Sequence, residues 1–176
     1  MSVSSGAIVA SADIQGKTAD FTKAMQTRGL DAAAEYRDAL RKGLEARGFV
    51  VKIIAVERPR GLFLDQYDTL DPSVDAYLDS NIGAAYLCAS ATSDYLPAVR
   101  ANTRMVKRAT REIVYREIVA YGYELKAGQP VSIASADSYR YKDHADLMAH
   151  PDQALDGLRI GIAAVADRTL RDLGAK

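Results

Sequence analysis

Between Asp31 and Gly48 apolar residues recur every three or four positions, whereas between Val99 and Tyr123 they recur every second one. The first period builds a helix and the second a sheet with one dry face. In DAAAEYRDALRKGLEARG, residues 31–48, Ala33, Tyr36, Leu40 and Leu44 form a stripe, with Arg37, Arg41 and Lys42 largely off it. Asp31 offers an oxygen to the first turn's free amides, and Gly48 suits the left-handed cap that ends a helix. FVVKIIAV, residues 49–56, is nearly continuous in apolar and β-branched side chains, which predicts a strand covered on most of its surface. After a loop at 57–64 that holds Pro59 and Gly61, a helix is expected from about Ser73 to Asn81 or Gly83. A second buried strand, AAYLCASA, then follows at 84–91. Helix, strand, helix, strand at this spacing predicts right-handed βαβ crossovers. AIVASAD, residues 7–13, reads as a short strand, and 14–30 has no clear period.

The alternating region is a hairpin. In 99–107, Val99, Ala101, Thr103 and Met105 alternate with Arg100, Asn102 and Arg104. In 112–124, Ile113, Tyr115, Val119, Tyr121 and Tyr123 share one parity. The link 108–111 has hairpin length. Gly122 and Gly128–Pro130 mark a bend before a last short strand, VSIAS, at 131–135. A long helix opens at Pro151 and ends at Gly174, with Leu155, Leu158, Ile162, Val165 and Leu173 on one side. Gly157 and Gly161, four apart, would let that helix approach a neighbour closely.

These elements add up to one α/β domain over residues 1–176, with 1–6 as a tether or trimmed end. Its sheet is mixed, parallel βαβ strands at one side and an antiparallel meander at the other, and helices pack on it. A chain of 176 residues can bury a sizeable core, and 48% apolar with 26% charged residues is ordinary globular composition. Ten Tyr against three Phe and no Trp suit a sheet whose covered face meets water at its margins. The formal charge is zero, so any attraction to an anionic partner must be local. The single Cys88 rules out an internal disulfide.

Candidate chemistry is sparse. His144 and His150, with Asp137, Asp143, Asp146 and Asp152, concentrate ligand-type side chains, but the six-residue spacing does not put both rings on one helix face. They read as a solvated loop with helix-start carboxylates. Asp65, Asp68, Asp71, Asp75 and Asp79 lack calcium-loop spacing and read as solvated surface. Cys88 has no local activating base, and neither a Walker loop nor a GxGxxG motif is present. No catalytic, cofactor or metal residues are assigned. The local charge lies in the hairpin, where 98–116 holds six basic residues and one acid. Arg100 and Arg104 share a strand face, Arg108 and Arg111 crowd the turn, and Arg116 returns along the second strand. With Tyr95 in the preceding loop, these are the candidate partner-binding residues. The bland alternative is the wet side of an amphipathic sheet.

The pattern across 84–124, with AAYLCASATSDY as a strand before the meander and VRANTRMVKRATREIVYREIVAYGY as its paired strands, resembles a group of bacterial cell-envelope domains. These are the TolB amino-terminal domain, the periplasmic domain of the curli-secretion lipoprotein, and the lipoprotein activators of peptidoglycan synthases. The closing PDQALDGLRIGIAAVADRTL is similar to their terminal helix. Such relatives often turn through Thr-Gly-Glu; here Thr110, Arg111 and Glu112 stand there. A left-handed arginine costs about 1–2 kcal/mol, so a differently built turn is expected.

The resemblance implies a non-enzymatic periplasmic interaction or scaffold module, the soluble part of a lipid-tethered envelope protein. Its partner would be another envelope protein or a second copy, with no nucleic acid and no membrane contact beyond the anchor. On that reading, Ser at Arg100, Arg104 and Arg116 would weaken partner capture and leave folding intact. The rival reading is a small enzyme or ligand-binding domain with its site beyond the parallel strands, near 57–64 and 91–97. An anionic-polymer binder is the third.

Overall fold

The chain's computed structural model describes residues 5–57, 62–90, 92–122 and 131–174, with side chains from Gly16 onward. The expected bend at Gly128–Pro130 lies outside the described residues, as do 1–4 of the expected tether.

Helix α1 (Ser5–Thr27) takes in both the expected strand at 7–13 and the segment without a clear period. Ala7, Ala10 and Ala12 favour helix, and Phe21 and Met25, one turn apart, bury on its inner side. Helix α2 (Ala32–Glu45) forms as expected. The Asp31 carboxylate accepts from the Ala34 amide at 2.9 Å, and Gly48 closes the end at φ +86°. Tyr36, Leu40 and Leu44 are buried, while Ala33, at the start of the expected stripe, is exposed.

The next two expectations fail. Residues 49–56 form no strand: Phe49 is 58% exposed and Val50 91%. The segment is a strap without helix or strand that passes from one layer to the other. Val51 packs into the helix-covered core, and Ile54 packs into a smaller cluster around Tyr67 and Tyr77. β propensity measures fit to a pleated, half-buried surface, and a crossing strap offers none. The expected helix at 73–83 is strand instead, and joins the first half of the expected 84–91 strand as β1 (Ala76–Leu87). Leu78, Ile82 and Tyr86 explain the error. A spacing of four fits two periods of a strand as well as about one turn of a helix. The βαβ crossovers expected from 49–91 therefore do not form there.

Strands β2 (Leu96–Lys107) and β3 (Ile113–Gly122) make the expected hairpin, and β4 (Val131–Ile133) the last short strand. The sheet order is β1-β2-β3-β4. It is antiparallel from β1 to β3, and the parallel pairing falls between β3 and β4. The architecture is α/β, helices on a mixed four-stranded sheet with a long closing helix.

That helix, α4 (Pro151–Gly174), lies on β2 and β3 with α2 beside it. Leu155, Leu158, Ile162 and Val165 are buried as expected, and Leu173 is partly buried. Gly161 is needed because the helix rides directly on the sheet: a Cβ there would stand 2.6 Å from the Tyr121 ring and 2.8 Å from Val99. Opposite α4 the sheet supplies Val99, Ala101, Thr103, Val119 and Tyr121. The Tyr36 hydroxyl sits among them, 3.1 Å from the hydroxyls of both Thr103 and Thr169, and burial pushes its pKa up. Before α4, short α3 (His144–Ala149) is capped by Asp143, which accepts from the Asp146 amide at 2.8 Å.

Candidate binding cleft on the outer sheet face

The described residues cover the sheet's other face only in part. Residues directly opposite in register point the same way, so Asp79, Arg104 and Arg116 make one outward row across β1, β2 and β3. Asn81, Asn102 and Ile118 make the next row, and Gly83, Arg100 and Ala120 the third. The segment 62–75 folds over the first of these. Tyr67 stacks on Tyr77 at 5.4 Å, and Leu64, Leu70 and Val74 gather around them with Val106.

A polar clamp fixes that segment. The Asp79 carboxylate is the acceptor for the Leu64 amide and the Tyr67 hydroxyl, each at 2.7 Å, and pairs with Arg104 at 3.8 Å. Arg104 donates to the Leu64 carbonyl at 2.7 Å and to the Tyr67 hydroxyl at 2.6 Å. Its guanidinium also lies over the Phe63 ring, 4.5 Å from the centroid. Burial first, then the hydrogen bond to Asp79, push the Tyr67 pKa up to about 12. Asp79, expected as solvated surface, is only 4% exposed. The correction follows from β1: as a strand it turns Asp79 onto the face where Arg104 stands.

The structure divides the predicted partner-binding residues. Arg104 is part of the clamp, so serine at that position would not leave folding intact. Arg108 donates to the Val74 carbonyl at 2.9 Å and tethers the end of the same segment. Arg111 does take the left-handed position, φ +61°, so the turn is not built around it as expected; its guanidinium pairs with Asp68. Tyr95 is half-buried, exchanges both backbone hydrogen bonds with Tyr141 and packs 6.2 Å from the His144 ring. Arg100 and Arg116 are exposed, and neither has an acidic partner among the described residues. The Arg116 guanidinium lies over the Phe63 ring, 5.6 Å from its centroid.

A shallow cleft of about 220 Å³ is lined by Leu62, Phe63, Asn102, Arg116, Glu117 and Ile118. Asn102 is 6% exposed, and its Oδ1 is fully buried with no hydrogen-bond donor among the described residues. Phe63, Tyr67 and Asn102 were not legible as site residues. Asn102 occupies a wet parity in the alternation, but nothing in the sequence says that a distant segment covers it.

The ligand-type side chains near the carboxyl end have local work. His144 Nε2 lies 3.2 Å from the Lys17 carbonyl, His150 Nδ1 2.9 Å from the Asp146 carbonyl, and Asp152 pairs with Arg28 at 2.7 Å. Among the described residues no three His, Cys, Asp or Glu side chains converge as a metal site would require. Cys88 is half-buried just past β1. No helix among the described residues is long and apolar enough to cross a membrane. Compared with family models, with curated proteins and with solved structures, the chain matches none.

Proposed function

We propose that this chain is a non-enzymatic protein-interaction or scaffold module of the bacterial cell envelope, working in the periplasm. Its contact surface on this reading is the open part of the outer sheet face. One observation carries it: Arg100 and Arg116 stand exposed there without acidic partners among the described residues, and Arg116 lines the cleft with Leu62, which is 52% exposed. Unmatched charge beside exposed apolar surface suits a protein partner, since rim charges steer encounter and a desolvated apolar centre supplies affinity. The envelope setting rests on the likeness of 84–124 and the closing helix to the TolB-type and lipoprotein domains. The partner is another envelope protein or a second copy of this chain.

The test is co-purification from envelope extracts and light scattering with Arg100→Ser/Arg116→Ser. Loss of the partner or of self-association, at an unchanged circular dichroism spectrum and Tm, supports the reading. Undiminished capture would remove it. The rival ligand-binding or enzymatic reading draws on Leu62 and Phe63, which line the cleft.

A further inference from the structure

We infer that the junction of α2 with the strap is a contact surface for an anionic lipid bilayer. The surface is separate from the one proposed for a protein partner, and Arg100 and Arg116 take no part in it. Among the described residues six large apolar side chains are exposed, and three of them, Phe49, Val50 and Ile53, fall within five positions. Scattered exposed apolar residues are ordinary, but a group of this kind marks a contact surface. Every residue from Glu45 to Val50 is exposed, so the chain projects from the body at this point.

The projection is held by the end of α2. The Gly48 amide donates to the Glu45 carbonyl at 2.9 Å and the Phe49 amide to the Leu44 carbonyl at 3.2 Å, with Gly48 at φ +86°. That pair of bonds around a left-handed glycine closes a helix in a fixed turn, and the apolar residue after the glycine usually tucks back onto the last turn. Phe49 instead stays 58% exposed. The turn therefore presents Phe49 and Val50 to solvent on a backbone that is already ordered, so little entropy is lost when they are covered.

The charge around this tip selects the partner. Residues 37–52 hold five basic side chains and two acids in a chain of zero formal charge. Arg37 pairs with Asp38 and Lys52 with Asp71, each at 3.3 Å. Arg41 and Lys42 meet no acidic side chain among the described residues, and Arg47 donates to the Leu170 carbonyl, which leaves its charge unanswered. Arg41, Lys42 and Arg47 all lie within two turns of Gly48, with Glu45 among them. Phe49 and Val50 are consecutive and both open to solvent, and Ile53 is open again three residues on. A folded partner would cover one side of such a projection, whereas a bilayer interface surrounds it. Its apolar boundary takes the three side chains, and its anionic headgroups lie level with the basic residues behind them.

The chain contains no Trp, so Val50→Trp places a single fluorescent reporter at the tip. With vesicles of equimolar phosphatidylglycerol and phosphatidylcholine its emission should shift to the blue and be quenched by brominated acyl chains. Phosphatidylcholine vesicles should give little shift. Salt at about 1 M, where the screening length falls to about 3 Å, should release most of the chain from the anionic vesicles. Because Trp adds membrane affinity of its own, co-sedimentation with the same vesicles is measured for the unsubstituted full chain as well. Relative to it, Val50→Asp should weaken partition about tenfold or more, and Lys42→Gln about fivefold. Both positions are exposed, so the Tm of both variants should match that of the unsubstituted chain. No co-sedimentation of the unsubstituted chain, equal binding to neutral vesicles, or undiminished binding of Val50→Asp would overturn the inference. Capture of a protein through Val50 without any vesicle binding would overturn it too, and would make the tip a second protein contact.

Discussion

The same sheet is closed on its two sides by different physics. Its inner face meets α4 and α2 through Val99, Ala101, Val119, Leu158, Ile162 and Val165, all nearly inaccessible, with one cluster of hydroxyls in the middle. Its outer face is closed by a segment without helix or strand, held by Asp79, Arg104, Tyr67 and Phe63. Apolar contact is non-directional and scales with the area buried, so the inner face makes a broad, continuous core. A charged clamp works only where every group meets its partner, so the outer face closes over a small area and leaves a cleft beside it. The sealed side specifies the fold, and the half-sealed side leaves Arg100 and Arg116 exposed.

The sharpest way to break the comparison is to empty one position on each face. Leu158→Ala should lose about 2–5 kcal/mol in denaturant unfolding, with the whole domain melting earlier, because the inner core has no way to close the cavity. Gly161→Ala, which forces a methyl against Tyr121, should cost about 1–3 kcal/mol by overpacking. Asp79→Ala removes one member of a buried pair, a local penalty of about 3–5 kcal/mol. Yet the covering segment can lift away, so most of that penalty should not reach the global transition. Amide exchange should show 62–75 losing protection while the amides of α4 keep theirs. Equal loss in both would show that the two faces unfold as one unit.

Tyr67→Phe tests the clamp more gently. It removes hydrogen bonds to two charged groups and should cost about 1.5–3 kcal/mol at pH 7. In the folded chain the Tyr67 pKa is raised to about 12 from an ordinary value near 10. The stabilisation it brings is therefore complete below pH 10 and is lost as pH rises through 12, because the unfolded chain releases its proton first. The gap between wild type and Tyr67→Phe should shrink across that window; a constant gap would mean that the hydroxyl does not titrate with unfolding. The smallest effect is expected at Val50, 91% exposed on the strap. Val50→Ser should change stability by no more than about 0.5 kcal/mol, whereas a covered strand position would cost more.

The contrast between the faces also tracks what was legible. Helices α2 and α4 and the hairpin carry their reasons locally. Asp31 sits beside the amides it caps, Gly48 at the end it terminates, and Val99, Ala101 and Thr103 on the parity that faces α4. The strap and β1 do not. FVVKIIAV has the composition of a buried strand and lacks only a neighbour to pair with, a property of the whole chain. Leu78, Ile82 and Tyr86 satisfy two periods at once, and pairing with β2 along twelve positions chose between them.

The sequence by itself determined the periods, the caps and the basic character of the hairpin, since each depends on residues within a turn or two of one another. Only the tertiary structure decided which arginines are spent. Arg104, Arg108 and Arg111 meet carboxylates and carbonyls contributed from residues 64–79, while Arg100 and Arg116 meet no acidic side chain among the described residues. A side chain's charge is fixed by its identity, but whether that charge is answered depends on what a distant part of the chain lays across it.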